Sequence, residues 1–214
     1  MFKVFVDGEA GTTGLQIYER LAKRTDIEVL RIDPELRKDV NERKRLINES
    51  DVTFLCLPDA AAIESAALCE NPNTCVIDAS TAHRVNPAWT YGMPELSVAQ
   101  REAISKSKRI ANPGCHASGF ILGVYPLVAA GILPKSANVS AYSITGYSGG
   151  GKKLIAEYEE EAALAHKAGE SKAIMAPAPY ALALSHKHLP EMKTLTYFLN
   201  LCVQFNLITY LQPG

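Results

Sequence analysis

The sequence predicts an α/β fold built on a parallel sheet, because short apolar runs alternate with stretches of helical periodicity. A glycine-rich segment joins the first apolar run to the first helical stretch. The chain has 214 residues, of which 47% are hydrophobic and 21% charged, so it can bury one large core or two small ones. Strands that alternate with helices in this way pair in parallel through right-handed crossovers.

The elements follow one another regularly over the first 80 residues. Strands are predicted where apolar and β-branched residues cluster, and helices where apolar residues recur at helical spacing. The predicted strands cover residues 2–6, 27–32, 51–57 and 74–78. The predicted helices cover residues 15–22, 38–48 and 60–68.

The second half of the chain is less regular. A helix is predicted from Cys115 to about residue 130, where Gly131 and Pro134 end it. A strand is predicted next, over residues 138–145, and a glycine-rich loop follows it over residues 146–153. A helix is predicted over residues 154–167, and residues 171–180, which include two prolines, are expected to be irregular. The change of domain is expected near Cys115.

Gly8, Gly11 and Gly14 follow the first strand and open the first helix. Glycines at such a junction permit a tight turn, and the helix N-terminus can hold a pyrophosphate. The spacing G-x-x-G-x-x-G differs by one residue from the usual dinucleotide fingerprint. The context therefore favours nucleotide binding over the alternative, a turn with a structural role alone.

The residues around the second strand leave the choice of cofactor open. Asp33 ends this strand, where an acid usually holds a ribose 2′-hydroxyl and favours NAD. Nearby hydroxyl and basic side chains could instead receive a 2′-phosphate and favour NADP. These are Thr12, Thr13, Arg37 and Lys38.

Cys115 follows the turn-forming Asn112, Pro113 and Gly114 and begins an apolar helical run. Free N–H groups and the positive end of the helix dipole at such a place lower a thiol pKa and favour the nucleophilic thiolate. This setting predicts covalent acyl chemistry. The alternative is a small buried cysteine after a turn.

Two further segments offer anion sites. Ser80, Thr81 and Arg84 follow the fourth strand and could hold phosphate or carboxylate, although capping explains the two hydroxyl residues equally well. The loop residues Ser148, Gly149, Gly150 and Lys152 could bind an anionic group near Cys115. The alternative for that loop is a mobile surface segment. His83 and His166 are expected at the surface or in packing, and His116 fits a local structural role as well as a catalytic one.

Composition narrows the class of protein further. A net charge of −1 gives no sign of a nucleic-acid partner. Five cysteines without CxxC spacing indicate reduced thiols and neither a disulfide framework nor a metal site. No apolar run reaches membrane-spanning length, and the start does not read as a signal peptide. A cytoplasmic protein without a membrane or metal partner is therefore expected.

Five segments together closely resemble the N-acetyl-γ-glutamyl-phosphate reductase family in its shorter form. They are residues 8–14, DASTAHR at 78–84, YGMPEL at 91–96, NPGC at 112–115 and HKHLPEM at 186–192. The resemblance implies a Rossmann domain over residues 1–114 and a catalytic α/β domain of the semialdehyde and glyceraldehyde-3-phosphate dehydrogenase type over residues 115–214. It further implies NADPH-dependent reduction of an acyl phosphate to an aldehyde, release of phosphate and a homo-oligomer. It favours NADP despite Asp33.

The resemblance also implies roles for single residues. Cys115 would attack the acyl phosphate and form a thioester, and His186 or His188 would serve as acid and base, with His186 slightly favoured. If the pair is extended, both rings project to one side; alternatively His188 caps or packs at the start of the next helix. Ser80 joins the glycine loop in the cofactor site, and Arg84 joins residues 148–152 in the substrate site.

Beyond Met192 the resemblance ends, because residues 193–211 are rich in strand formers and nearly uncharged. Relatives continue further here, so the second domain is expected to be incomplete and the activity weak or absent. The tail could fill a position in a sheet or pair with another chain. Two alternatives remain, an aspartate-semialdehyde dehydrogenase-like enzyme and a nucleotide-binding remnant without catalysis.

Overall fold

The computed structural model describes residues 1–8, 12–146, 149, 155–160, 163, 178–180, 185–197 and 201–207. Side chains are described for these residues except 12, 13, 15, 16, 178–180 and 201–207. The chain divides into two compact units, Met1–Ala129 and Ala130–Gly214. The helix that begins at Cys115 therefore packs as part of the first unit, and the domain boundary at residues 114 and 115 stays a prediction.

The first unit alternates strands and helices. Its strands are β1 (Phe2–Asp7), β2 (Ile27–Leu30), β3 (Val52–Leu55), β4 (Cys75–Asp78), β5 (Thr90–Tyr91) and β6 (Arg109–Ala111). Its helices are α1 (Thr12–Leu21), α2 (Val40–Glu49), α3 (Asp59–Ala67), α4 (Val98–Lys106) and α5 (Cys115–Ala129), with a 3-10 turn at Pro94–Leu96.

The six strands form one parallel sheet in the order β2-β1-β3-β4-β6-β5. The predicted parallel α/β fold is confirmed. The strand order reverses between β1 and β3, because the chain leaves β1 toward one edge of the sheet and returns to build toward the other. In a doubly wound sheet, ligands bind at the carboxyl ends of the strands beside this reversal.

The core of the first unit sits between the sheet and α2. Phe5 on β1 and Ile47 on α2 are fully buried, and Leu30 and Leu46 pack with them. Burial of apolar side chains on both sides of this contact is the main force that holds the helix against the sheet. The Asp39 side chain accepts a hydrogen bond of 2.8 Å from the Glu42 N–H and so caps the helix.

The sequence analysis missed the elements between residues 90 and 111. β5 and β6 have two and three residues, which is too short to show a period. A signal for α4 was present, since Ser97 caps this helix through the Gln100 N–H at 3.0 Å. A serine followed three residues later by glutamine is a recognisable start of a helix.

The described residues of the second unit form β7 (Val139–Thr145), β8 (Ala178–Tyr180), β9 (Leu201–Leu207) and parts of the helices α6 and α7. Residues 155–160 describe α6, and α7 spans Leu189–Thr196. The sheet order is β7-β9-β8, with β7 parallel and β8 antiparallel to β9.

This sheet corrects one expectation and decides between two others. Residues 178–180 form a strand although an irregular stretch was predicted, and an edge strand tolerates its proline at position 179. The tail fills a sheet position, because β9 lies in the middle of the sheet. The tail is not extended throughout, since α7 continues through Lys193 to Thr196.

Candidate active site

Gly8 makes the turn that follows β1. Its φ of +91° lies in the region that favours glycine, and a Cβ atom built there would lie 2.4 Å from the backbone oxygen of Cys56. The chain can therefore pass this close to β3 only with glycine. Gly14 is buried within α1, which begins at Thr12, so the predicted strand–turn–helix is confirmed. Gly11 and the side chains of Thr12 and Thr13 lie outside the described residues.

A cavity of about 430 Å³ opens beside this turn, at the reversal of the strand order. Ile32 and Leu57 belong to its apolar wall, and Arg37, Lys38 and Arg43 supply three cationic side chains. Its size falls in the range of small-molecule and cofactor sites. A lining that combines apolar and cationic side chains suits a ligand that has a ring system and phosphate groups.

Asp7 provides the acidic side chain among the described residues that line this cavity, and Arg43 neutralises its carboxylate. Arg43 donates to Asp7 Oδ2 from Nη2 at 2.8 Å and from Nε at 3.1 Å, and both side chains are largely buried. The Ser65 hydroxyl donates to the same oxygen at 2.5 Å. With this carboxylate paired to Arg43, the net positive charge of the described lining comes from Arg37 and Lys38.

Asp33 makes a local hydrogen bond in the turn after β2. Its side chain is exposed, and Oδ1 accepts a hydrogen bond of 2.9 Å from the Glu35 N–H. The described residues that line the cavity include Arg37 and Lys38 but not Asp33. The carboxylate stabilises the turn after β2, as aspartate often does in loops.

The end of β4 is organised by the fully buried carboxylate of Asp78. Its oxygens accept hydrogen bonds from the Ser80 N–H at 2.8 Å and the Ser80 hydroxyl at 2.7 Å. His83 Nδ1 lies 2.6 Å from Asp78 Oδ2, and the His83 ring stacks on Trp89 with centroids 3.9 Å apart. His83 is therefore a packed residue, as expected, and Ser80 serves the turn.

Arg84 is buried beside this turn, with 8% of its surface exposed. Its Nε donates to the backbone oxygen of Asn112 at 2.9 Å, and its Nη2 donates to the backbone oxygen of Ala79 at 3.2 Å. The sequence analysis placed Arg84 in the substrate site. The structure connects it to the backbone that leads to Cys115.

Cys115 is the first residue of α5, and its side chain is exposed. The preceding carbonyl, of Gly114, accepts hydrogen bonds from the Ser118 N–H at 2.8 Å and the Ser118 hydroxyl at 2.9 Å. The predicted place of this cysteine at a helix start is confirmed. Its neighbour His116 is half-buried, and burial lowers the pKa of its imidazole.

Cys56 provides a contrast at the end of β3. Burial raises the pKa of this thiol to about 11, and the nearby carboxylates of Asp7 and Asp78 add to the shift. Both effects disfavour the thiolate. Cys56 is therefore a protonated thiol at neutral pH, whereas Cys115 is open to reagents.

The two candidate histidines lie in the second unit, at the start of α7. His188 is 4% exposed and occupies the N-cap position without a side-chain capping bond. Its N–H donates to His186 Nδ1 at 3.2 Å, and the two rings meet edge to face with centroids 4.6 Å apart. A turn brings the rings together, not the extended strand that was considered. Because Nδ1 of His186 accepts, the neutral ring carries its proton on Nε2.

The predicted loop site is described at one of its four residues, Gly149. Ser148, Gly150 and Lys152 lie outside the described residues. Gly149 is exposed, and a Cβ atom at this position would lie 2.5 Å from the Thr145 hydroxyl oxygen.

Sequence reasoning missed three buried acidic side chains, two in the first unit and one in the second. Asp7 and Asp78 each end a strand, which is a signal for a position at the carboxyl edge of the sheet. Glu191 is fully buried in the first turn of α7, three residues after His188. A burial of that kind has no signature in a single sequence.

No described helix is long and apolar enough to cross a membrane. In the same part of the chain, no group of three or more His, Cys, Asp or Glu side chains could hold a metal ion.

Comparison with known proteins finds two domain families. The NAD-binding domain of semialdehyde dehydrogenases matches residues 3–107, and the dimerisation domain of semialdehyde dehydrogenases matches residues 115–213. The second match extends over β9, and the alignment with the first curated relative covers 192 residues of the 214.

Curated relatives and solved structures agree with these domains. The chain is 50% identical over 192 residues to N-acetyl-gamma-glutamyl-phosphate reductase of Chelativorans sp. (strain BNC1), covering 90% of this chain and 59% of that protein. It is 47% identical over 193 residues to the reductase of the same name from Trichormus variabilis, covering 89% and 58%. The chain thus spans about three fifths of the length of these relatives.

Among solved structures, aspartate semialdehyde dehydrogenase II of Vibrio cholerae matches with a TM-score of 0.67 at 13% identity, covering 97% of this chain and 70% of that one. Aspartate semialdehyde dehydrogenase with NADP from Candida albicans matches with a TM-score of 0.59 at 14% identity, covering 99% and 69%. At such identities the likeness concerns the fold. The chain belongs to the semialdehyde dehydrogenase family, and its sequence likeness is to the N-acetyl-gamma-glutamyl-phosphate reductases.

Proposed function

We propose that this chain provides the cofactor and nucleophile sites of an NADP-dependent reductase that converts N-acetyl-γ-glutamyl phosphate to N-acetylglutamate semialdehyde. The observation that carries the proposal is the exposed thiol of Cys115 at the first residue of α5, in the same unit as the cavity beside the Gly8 turn. The names of the curated relatives indicate the substrate.

The chemistry follows from the residues. The Cys115 thiolate attacks the carbonyl carbon of the acyl phosphate, the carbon–oxygen bond to phosphate breaks, and a thioester remains on the sulfur. The nicotinamide cofactor supplies a hydride to this thioester when it is bound. The carbon–sulfur bond then breaks, which releases the aldehyde and restores the thiolate.

His186 is the proposed acid and base of this sequence. Its Nδ1 is held by the His188 N–H, so Nε2 is the atom that can give and take a proton. His188 is buried and supports this arrangement through its backbone and its edge contact. The proposed reaction belongs to arginine biosynthesis, and we place it in the cytoplasm. The free thiols of the four described cysteines fit such a reducing compartment.

NADP is the proposed cofactor. Arg37 and Lys38 line the cavity, whereas the Asp33 carboxylate caps its own turn. Cationic side chains recognise a 2′-phosphate through charge-assisted hydrogen bonds. The related fold from Candida albicans carries NADP, which agrees with this choice.

The test is the reverse reaction, in which the purified chain reduces NADP with N-acetylglutamate semialdehyde only when phosphate is present. Absorbance of NADPH reports turnover, and aspartate semialdehyde serves as the competing substrate. The variant Cys115→Ser should lose turnover but keep NADPH binding. Substituting His186 with asparagine should lower turnover about a hundredfold or more, as expected for an acid–base group.

If the chain prefers aspartate semialdehyde as its substrate, its activity is that of an aspartate-semialdehyde dehydrogenase and the proposed substrate is wrong. Binding of NADPH without turnover of either aldehyde would favour a nucleotide-binding protein without catalysis. Turnover by Cys115→Ser would rule out the covalent mechanism.

A further inference from the structure

Arg43 and Asp7 form an ion pair that lines the cavity beside the Gly8 turn. Arg43 donates to Asp7 Oδ2 from Nη2 at 2.8 Å and from Nε at 3.1 Å. The two side chains are 12% and 6% exposed, so the pair is largely shielded from water. One edge of the guanidinium is therefore fixed, although the group still belongs to the lining of the cavity.

Three elements of the first unit meet at the Asp7 carboxylate. Asp7 ends β1, Arg43 reaches it from α2, and the hydroxyl of Ser65 on α3 donates to the same oxygen at 2.5 Å. Ser65 is fully buried. An arginine that is already held by such a partner loses little conformational freedom when a ligand binds to it. Arg43 is therefore preorganised for binding.

The ion pair limits what kind of ligand group Arg43 can attract. Because Asp7 balances its charge, Arg43 attracts an anion less strongly than Arg37 and Lys38, which carry the net positive charge of the described lining. The hydrogen bonds to Asp7 lie in the plane of the guanidinium and do not occupy its flat faces. Such a planar cation attracts the face of an aromatic ring.

Four apolar residues of the same lining suit a ring and not a phosphate. They are Ile32, Pro34, Leu57 and Ala61. Apolar side chains accept the rings of a nucleotide base, whereas a phosphate buried against them would lack hydrogen bonds. The described lining therefore offers apolar side chains and a neutralised planar cation for a base, and separate cations for phosphate.

We propose that Arg43 recognises the adenine base of the dinucleotide, with the flat face of its guanidinium against the ring. Asp7 fixes this guanidinium, and Arg37 and Lys38 bind phosphate. The inference rests on the dinucleotide cofactor of the proposed function. It does not depend on the substrate or on the chemistry at Cys115.

The first experiment titrates the wild-type chain and Arg43→Lys with NADPH and with NADH, and follows the fluorescence of the nucleotide. Lysine keeps the charge that pairs with Asp7 but lacks the planar group. Arg45→Lys is the matched control, because Arg45 lies on the same helix, is exposed, and pairs with Glu42 and Glu49. Thermal unfolding of each variant establishes that folded proteins are compared.

For Arg43→Lys we expect the dissociation constants of NADPH and NADH to rise by the same factor, about three- to tenfold, because both carry the base. Arg45→Lys should change neither constant. A loss for both cofactors separates Arg43 from Arg37, whose replacement should weaken the binding of NADPH alone. Turnover is not needed, so this result holds even if the reductase assay fails.

The second experiment uses the wild-type chain, so its outcome does not depend on how well a variant folds. Adenosine 2′,5′-bisphosphate is added, and the Nε proton of Arg43, which is bonded to Asp7, is followed by nuclear magnetic resonance. A proton above the face of an aromatic ring shifts upfield, whereas a proton that enters a stronger hydrogen bond shifts downfield. We expect an upfield shift.

Four outcomes would overturn the inference. A loss of NADPH binding by Arg43→Lys without a loss of NADH binding would make Arg43 a ligand of the 2′-phosphate. Unchanged affinity for both cofactors would give the ion pair a structural role alone and leave the proposed reductase intact. A downfield shift, or no shift, of the Nε proton would exclude contact with the face of the ring. A wild-type chain that binds neither NADPH nor NADH would overturn this inference and the proposed cofactor together.

Discussion

Two cysteines of the same unit differ in what surrounds their sulfur atoms. Cys56 is largely enclosed at the end of β3, near Asp7 and Asp78, and burial together with these charges keeps its thiol protonated. Cys115 stands exposed at the first residue of α5. Position in the fold, and not residue type, therefore decides which thiol can act as a nucleophile.

Iodoacetamide at pH 8 should modify Cys115 and leave Cys56 almost untouched. With a pKa of about 11, about one Cys56 thiol in a thousand is ionised at pH 8. Because the pKa is raised, the thiolate fraction of Cys56, and with it the labelling rate, should rise about tenfold for each pH unit below that value and level off above it. Peptide mass spectrometry measures both sites, with Cys115→Ser as the control. Equal labelling of the two cysteines at pH 8 would contradict this assignment.

The side chain of Arg37 should distinguish the two dinucleotides. Replacing Arg37 with glutamine is expected to weaken NADPH binding about tenfold, or ~1.4 kcal/mol, because a charged contact to the 2′-phosphate is lost. Binding of NADH should stay the same. Fluorescence titration measures both affinities, and Lys23→Gln, on the exposed segment after α1, is the control. An equal loss for both cofactors would place Arg37 away from the 2′-phosphate.

Among the elements, the turn between β1 and α1 places the strictest demand on the sequence. Gly8 combines a positive φ with a close approach to the Cys56 carbonyl, and no other residue satisfies both. Gly131 shows only the first of these two constraints. Gly131 also has a positive φ, of +70°, but nothing lies within 4 Å of a Cβ atom built there.

Alanine substitutions at Gly8 and Gly131 should separate the energetic cost of the positive φ from the cost of the steric overlap. We expect Gly8→Ala to lower the free energy of unfolding of the first unit by about 3 kcal/mol or more, from strain and steric overlap together. Gly131→Ala should cost about 1 kcal/mol, from the backbone conformation alone. Urea unfolding of the full chain measures both values. A similar cost for the two variants would mean that the contact with Cys56 is relieved by movement.

For the whole molecule, the second unit presents an apolar strand face. Tyr142 and Ile144 alternate along β7 and are 66% and 56% exposed. The matching family domain is one named for dimerisation, so we propose that this face contacts a second copy of the chain. An exposed edge with aromatic and β-branched residues is otherwise prone to unspecific pairing.

Light scattering after size exclusion tests this assembly. The wild-type chain should have the mass of an oligomer, and Tyr142→Lys should shift it toward the mass of one chain, 23.2 kDa. A buried charge without a partner opposes association. Val98→Lys is the control, since Val98 is 77% exposed and lies on the first unit. A monomeric wild type, or an effect of Val98→Lys alone, would count against the proposed face.

The sequence determined the parallel α/β unit, its glycine turn and the cysteine at a helix start, because each leaves a local signal: an apolar run, a periodic stripe or a turn residue. The same signals located the helix after His188, with Pro190 in its first turn. The proposed reaction comes from the family resemblance that its short motifs carry.

Only the tertiary structure decided which charged groups act on one another. It paired Asp7 with Arg43, turned Asp33 to its own loop, and directed Arg84 to the Asn112 carbonyl. It also placed β9 between two other strands of the second unit. These contacts join residues far apart in the chain, and their energies depend on burial and direction, which no local pattern of residues encodes.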